Sequence, residues 1–147
     1  MQTKKLSNGI LEVLTWYAGD QLYGLYLEDC KEVIKNIEIV TIPNSKKYLA
    51  GVHNLRGEII TVIDVGVKLG YPQKPYEKGK AVIRLKAKSK VSLLADRIHD
   101  ILEIPSDALE PPPSNLSEKE LNCISSAAKS KDGVVLIVNL EGLTAIE

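Results

Sequence analysis

Four consecutive residues, Asn54-Leu55-Arg56-Gly57, carry the chain's most suggestive chemistry. Gly57 supplies the backbone freedom of a tight turn, and the apolar runs on either side make the tetrapeptide a turn between two buried strands. Arg56 would then hold a planar guanidinium at a fixed place. Such a group grips a carboxylate through two parallel hydrogen bonds, or lays its face on apolar surface. It serves either as an internal clamp or as a contact for a partner. One arginine in a turn is unremarkable, so the clamp is the simpler of the two.

Other reactive residue types are placed less informatively. His53 and His99 lie far apart, with no Cys or Glu at metal-ligand spacing, so no metal site is expected. Asp64 closes an apolar run and reads as a cap for the turn that follows. Cys30 and Cys123 stand alone, as two small buried or half-buried thiols of a reducing compartment would. The chain lacks a GxxxxGK[ST] loop, a GxGxxG turn, an HExxH helix and a GxSxG elbow. No catalytic residue and no cofactor is expected, and the chain reads as a binding protein rather than an enzyme.

The elements that must position Arg56 are mostly strands: short Val- and Ile-rich runs between Gly, Pro or charged clusters. Residues 11–17 and 22–27 form a hairpin turning at Gly19-Asp20. Residues 28–37 carry Cys30, Val33, Ile34 and Ile37 at helical spacing, which favours a short helix over an extended segment. Residues 58–65 are apolar on both faces, the mark of a strand buried between layers. A turn of helix ending at Gly70 follows, then a loop over 71–79. Residues 81–85 and 91–95 make a second hairpin, Pro111-Pro112-Pro113 an extended connector, Ser117 to Glu120 a capping box, and residues 134–140 a last buried strand.

The second half echoes the first. Glu28, Cys30, Glu32, Val33 and Pro43 meet Asp96, Ile98, Asp100, Ile101 and Pro111 at a shift of about 68, and residues 59–65 meet 134–140 at about 75. The changed offset places an insertion near residues 116–122. Half-units of residues 11–79 and 80–147, with the N-terminal strand open to sharing between them, predict two small packed barrels and a groove between related lobes.

Composition narrows the partners. Nineteen basic and nineteen acidic residues cancel, and no aromatic–basic interleaving is present, which argues against nucleic acid. No run approaches the length of a membrane helix, and no signal-peptide core follows Lys4 and Lys5, so a cytoplasmic protein without membrane insertion is expected.

The run Gly51-Val52-His53-Asn54-Leu55-Arg56-Gly57-Glu58-Ile59-Ile60-Thr61-Val62-Ile63-Asp64-Val65 resembles the signature of the CheW family, the coupling proteins of bacterial chemotaxis, approximately G-V-x-N-L-R-G-x-[VI]-[VI]-P-[VI]-[VI]-D-L. The likeness extends to Leu14 through Gly19, Glu32-Val33-Ile34, Thr41-Ile42-Pro43 and Leu93 through Ile101. His53 stands where the family usually has Ile or Thr. The resemblance implies an all-β fold of two SH3-like five-stranded barrels. It also implies an adaptor between the cytoplasmic tips of chemoreceptors (methyl-accepting chemotaxis proteins) and the regulatory domain of a CheA-type histidine kinase. Receptor contact would use the groove between the lobes and Arg56, within the motif of Asn54, Leu55 and Gly57, with Glu32 and Val33 near that groove. Kinase contacts would lie at barrel ends, with no residue assigned. Two other expectations remain: a related scaffold of a different signalling array, such as one for surface motility, and a small-barrel nucleic-acid binder.

Overall fold

A computed structural model of the chain describes residues 9–73 and 80–145. Among them run ten strands: β1 (Ile10–Ala18), β2 (Gln21–Tyr26), β3 (Cys30–Lys35), β4 (Leu49–Leu55), β5 (Glu58–Asp64), β6 (Ala81–Leu85), β7 (Val91–Ala95), β8 (Arg97–Pro105), β9 (Ile124–Ser130) and β10 (Gly133–Val138). Three short helices accompany them: α1 (Val65–Lys68), α2 (Glu118–Cys123) and α3 (Leu140–Thr144). Part of the loop expected over 71–79, residues 74–79, lies outside the described residues. No helix among the described residues is long and apolar enough to cross a membrane.

The strands form two five-stranded sheets, ordered β8-β1-β2-β10-β9 and β3-β6-β7-β5-β4. Each curls into a barrel because the chain leaving its first edge strand returns to its last. Beyond β3, Val40 bridges Val52 of β4, and beyond β8, Glu110 bridges Ala127 of β9. The fold is thus the expected pair of SH3-like barrels, here called barrel A (with β1) and barrel B (with β3). The repeat is also real in three dimensions. Asp64 caps α1 by accepting a hydrogen bond from Val67 N at 3.3 Å, and Asn139 caps α3 by accepting one from Glu141 N at 3.2 Å. The extra residues of the second half fall where α2 begins, and Ser117 and Glu120 form the expected capping box there.

Two expectations need correction. The barrels do not follow the half-units 11–79 and 80–147: the β1–β2 hairpin joins β8, β9 and β10, while β6–β7 joins β3, β4 and β5. Each half lends its opening hairpin to the other half's barrel, through parallel pairing of β2 with β10 and of β7 with β5. Residues 28–37 are not a helix. A 3₁₀ turn over Leu27–Asp29 leads into strand β3, paired with β6. The helical spacing was misleading because β3 buries apolar residues on both faces: Cys30 and Val33 pack on the core between the barrels, and Ile34 packs on the core inside barrel B. Alternating burial on two faces imitates a helix stripe over so short a span.

The same two-sided burial organises the core. Leu11, Val13, Leu22, Val135 and Ile137 fill barrel A, and Ala50, Val62, Val82 and Leu94 fill barrel B. The opposite faces of the same strands meet between the barrels in the largest cluster, which includes Trp16, Tyr23, Leu25, Ile63, Ile83, Leu93 and Leu136. This explains why residues 58–65 read as apolar on both faces. One glycine is dictated by the packing in barrel A. A Cβ on Gly24 would sit 2.6 Å from Val13 Cγ1 and 2.8 Å from Val135 Cγ1. Gly24→Ala is therefore expected to cost about 1–3 kcal/mol by overpacking, read as a lower urea midpoint. An unchanged midpoint would mean the barrel interior can yield.

Candidate functional site

Register sets the Arg56 turn. Leu55 of β4 pairs with Glu58 of β5, leaving a two-residue loop of Arg56 and Gly57. Both have positive φ, +50° and +88°, the type I′ pattern that matches strand twist in hairpins. Glycine takes this backbone freely, whereas for arginine it costs on the order of 1 kcal/mol. Asn54 Oδ1 accepts a hydrogen bond from Gly57 N at 3.1 Å and stiffens the loop. The result is an arginine whose side chain is 67 % exposed on a rigid hairpin tip.

The structure brings Arg56 to Glu32, the other charged residue expected at the site. Arg56 Nη2 donates to Glu32 Oε2 at 3.0 Å and to Oε1 at 3.3 Å. Both bonds come from one nitrogen, so this is not the two-nitrogen fork of a tight arginine–carboxylate pair. The pair also spans the barrel closure, from β3 to the β4–β5 turn. Barrel A has a counterpart at the corresponding place, where His99 of β8 meets Asp132 of the β9–β10 turn at 2.8 Å. Val33 is placed differently. It turns away from Glu32 and packs, half-buried, on the core between the barrels, as does Ile98 of β8. Val33 therefore marks the seam between the barrels and Glu32 the corner of barrel B, one residue apart on a strand.

Sequence reasoning missed Arg84. It lies opposite Glu32 on β6, where Val82 and Leu94 line the barrel interior, and its residue is only 3 % exposed. Its Nη1 donates to Glu32 Oε2 at 3.1 Å, its Nη2 to Glu58 Oε2 at 3.3 Å, and its Nε to Ser89 O at 2.5 Å. The signal was an arginine inside the otherwise apolar strand Ala-Val-Ile-Arg-Leu, since a buried charge must be paired. Glu32's partial burial alone would push its carboxyl up. Hydrogen bonds and charge from Arg56 and Arg84 outweigh that and hold it below the ordinary carboxylate value.

His53 sits behind this network, 3 % exposed, with no protein partner at Nε2. Burial pushes its imidazole below the ordinary value, assisted by the charge of Arg84 and opposed by Glu32. The folded protein then binds fewer protons than the unfolded chain just below about pH 6.5, so stability falls as pH drops through that value. His53→Ile is expected to flatten the fall and to add about 1 kcal/mol by removing an orphaned polar atom. Urea unfolding at pH 7.5 and 5.5 checks this, and a variant with the wild-type pH slope would exclude His53 as the source.

A cleft of about 420 Å³ opens elsewhere between the barrels, lined by Gly19, Gln21 and Tyr23 on one side and Asp64, Leu94 and Asp96 on the other. None of the Arg56 corner lines it. The two free thiols are half-buried Cys30 and buried Cys123, and burial pushes both thiol pKa values up, away from the reactive thiolate. No group of three or more His, Cys, Asp or Glu suited to a metal occurs among the described residues.

Residues 12–147 match the CheW-like domain. The chain is 26 % identical over 141 residues to the probable chemotaxis protein CheW of Rhizobium etli, covering 95 % of this chain and 91 % of that one. It is 31 % identical over 109 residues to the chemotaxis protein CheW of Thermotoga maritima, covering 74 % and 70 %. The crystal structure of the scaffolding protein TtCheW from Thermoanaerobacter tengcongensis superposes with a TM-score of 0.80 at 27 % identity, over 93 % of this chain and 94 % of that one. With the two exchanged barrels and the Asn-Leu-Arg-Gly hairpin in place, the chain belongs to the CheW-like domain family.

Proposed function

We propose that this chemotaxis scaffold is a non-enzymatic adaptor that joins the cytoplasmic tip of a chemoreceptor to the regulatory domain of a CheA-type histidine kinase and so helps control kinase activity. The observation that carries the reading is Arg56: an exposed cation held in left-handed backbone on a type I′ turn, beside a strand that reaches the seam between the barrels. The turn fixes where this charge stands while most of its side chain remains open to a partner, as a contact residue needs. Asn54, Leu55 and Gly57 build the turn, and Glu32 and Val33 connect it to the seam. Binding two partners on separate surfaces raises their effective concentration for each other and lets one partner's state bias the other's. The protein would then work in the cytoplasm, at receptor arrays it reaches through its partners.

The test is a binding assay of the purified protein with its host's CheA-like kinase and a receptor cytoplasmic fragment. Binding of both, with Arg56→Ala selectively losing the receptor, supports the reading. Wild-type protein that binds neither overturns it and directs the search to the partners of another array.

A further inference from the structure

The mouth of barrel B holds two guanidiniums and two carboxylates, and the four are not equivalent. Arg84 is buried and spends all three of its nitrogens, on Ser89 O, Glu32 and Glu58. Arg56 is exposed and spends one, its Nη2, on Glu32; among the described residues its Nε and Nη1 have no protein acceptor. Glu58 immediately follows the Arg56-Gly57 loop, and Glu32 faces it from β3. Without Arg84, the exposed arginine would stand among two carboxylates, which would compete for it and repel any third.

The geometry points to Arg84 as a positioning residue that holds Glu32 and Glu58, and so keeps Arg56 available to a carboxylate on the partner. This deepens the reading of Arg56 as a receptor contact and rests on it. The partner chemistry it names is an acidic side chain presented to the Nε–Nη1 edge of Arg56, where the two-nitrogen fork can form. The charges of the cluster cancel with Arg84 present. Removing Arg84 leaves an excess of one negative charge around the contact, and removing Glu58's charge leaves an excess of one positive charge.

The two changes therefore act in opposite directions. With the receptor fragment, Arg84→Met is expected to weaken binding about tenfold, and Glu58→Gln to tighten it about two- to threefold. Arg84→Met/Glu58→Gln should return to within about twofold of wild type, a rescue that a merely structural role for Arg84 would not give. A second readout uses the free protein: NMR relaxation of the Arg56 Nε–Hε group, which Arg84→Met should make more ordered as Glu32 and Glu58 capture it. Should Arg84→Met not fold, Glu58→Gln decides through the same two readouts, with tighter binding and a more mobile Arg56. If the wild type binds no receptor fragment, the contact reading fails, and the mobility of Arg56 in the free variants still decides the role of Arg84. Unchanged Arg56 order in folded Arg84→Met and Glu58→Gln, or receptor affinity indifferent to both, overturns the proposal.

Discussion

Trp16→Ala is expected to lower the free energy of unfolding by about 3–5 kcal/mol. Trp16 is fully buried in the C-terminal part of β1, stacked on Tyr23 with ring centroids 6.1 Å apart and planes 29° from parallel. It belongs to the cluster between the barrels, which draws residues from both sheets. Its removal opens a cavity that neither barrel can close alone, and native proteins are stable by only about 5–15 kcal/mol in total. Trp16→Phe is the informative companion. The indole Nε1 has no protein acceptor, so phenylalanine gives up volume while removing an orphaned donor, and should cost less than about 1.5 kcal/mol. Urea unfolding followed by circular dichroism gives both values. A loss under 1.5 kcal/mol for alanine, on the order of a conservative core swap, would show that the seam does not hold the barrels together. Two separate transitions in the variant would show that the barrels fold independently once it is weakened.

What was legible in the sequence was whatever local physics decides. The Gly19-Asp20 hairpin, the cap at Asp64 and the Ser117–Glu120 box each depend on a few neighbouring residues, and each stands as the sequence implied. The half-chain echo was legible too, because equivalent strands in two related barrels meet equivalent surroundings. The exchange of hairpins between halves was not. Parallel pairing of β2 with β10 and β5 with β7 joins segments distant in sequence, and no local pattern encodes which distant strand completes a sheet. The misreading of 28–37 has the same root: β3 is extended because β6 lies beside it. At the site, Arg56, Asn54 and Gly57 were legible as turn chemistry and Glu32 through family resemblance. Arg84 was missed because its importance comes only from the cross-strand position that sets it opposite Glu32.

The decisive expectation concerns whether Arg56 serves Glu32 or a partner. On the contact reading, Arg56→Glu should raise the Kd for a receptor cytoplasmic fragment about 30-fold or more, since losing one partner of an interfacial charge pair typically costs about 2–5 kcal/mol. Its effect on folding should stay within about 1 kcal/mol, because the Arg56 side chain is 67 % exposed and its ion pair with Glu32 is solvated. Glu32→Gln separates the roles. If Arg56 acts chiefly as an internal clamp, Arg56→Ala and Glu32→Gln both break its ion pair and both should lose receptor binding, with Glu32→Gln the more destabilising because it also takes a charge partner from buried Arg84. If Arg56 is the contact, Glu32→Gln keeps binding and only Arg56 variants lose it. Glu32 remains hydrogen-bonded to buried Arg84 when Arg56 is truncated, so Arg56→Ala does not orphan a carboxylate, and a loss of binding in that variant belongs to the arginine itself. A double-mutant cycle over the two positions, read both as stability and as receptor affinity, gives the coupling directly. Coupling in affinity as well as stability makes the arginine a clamp, and loss of affinity in Arg56→Ala with no coupling to Glu32 in affinity makes it the receptor's.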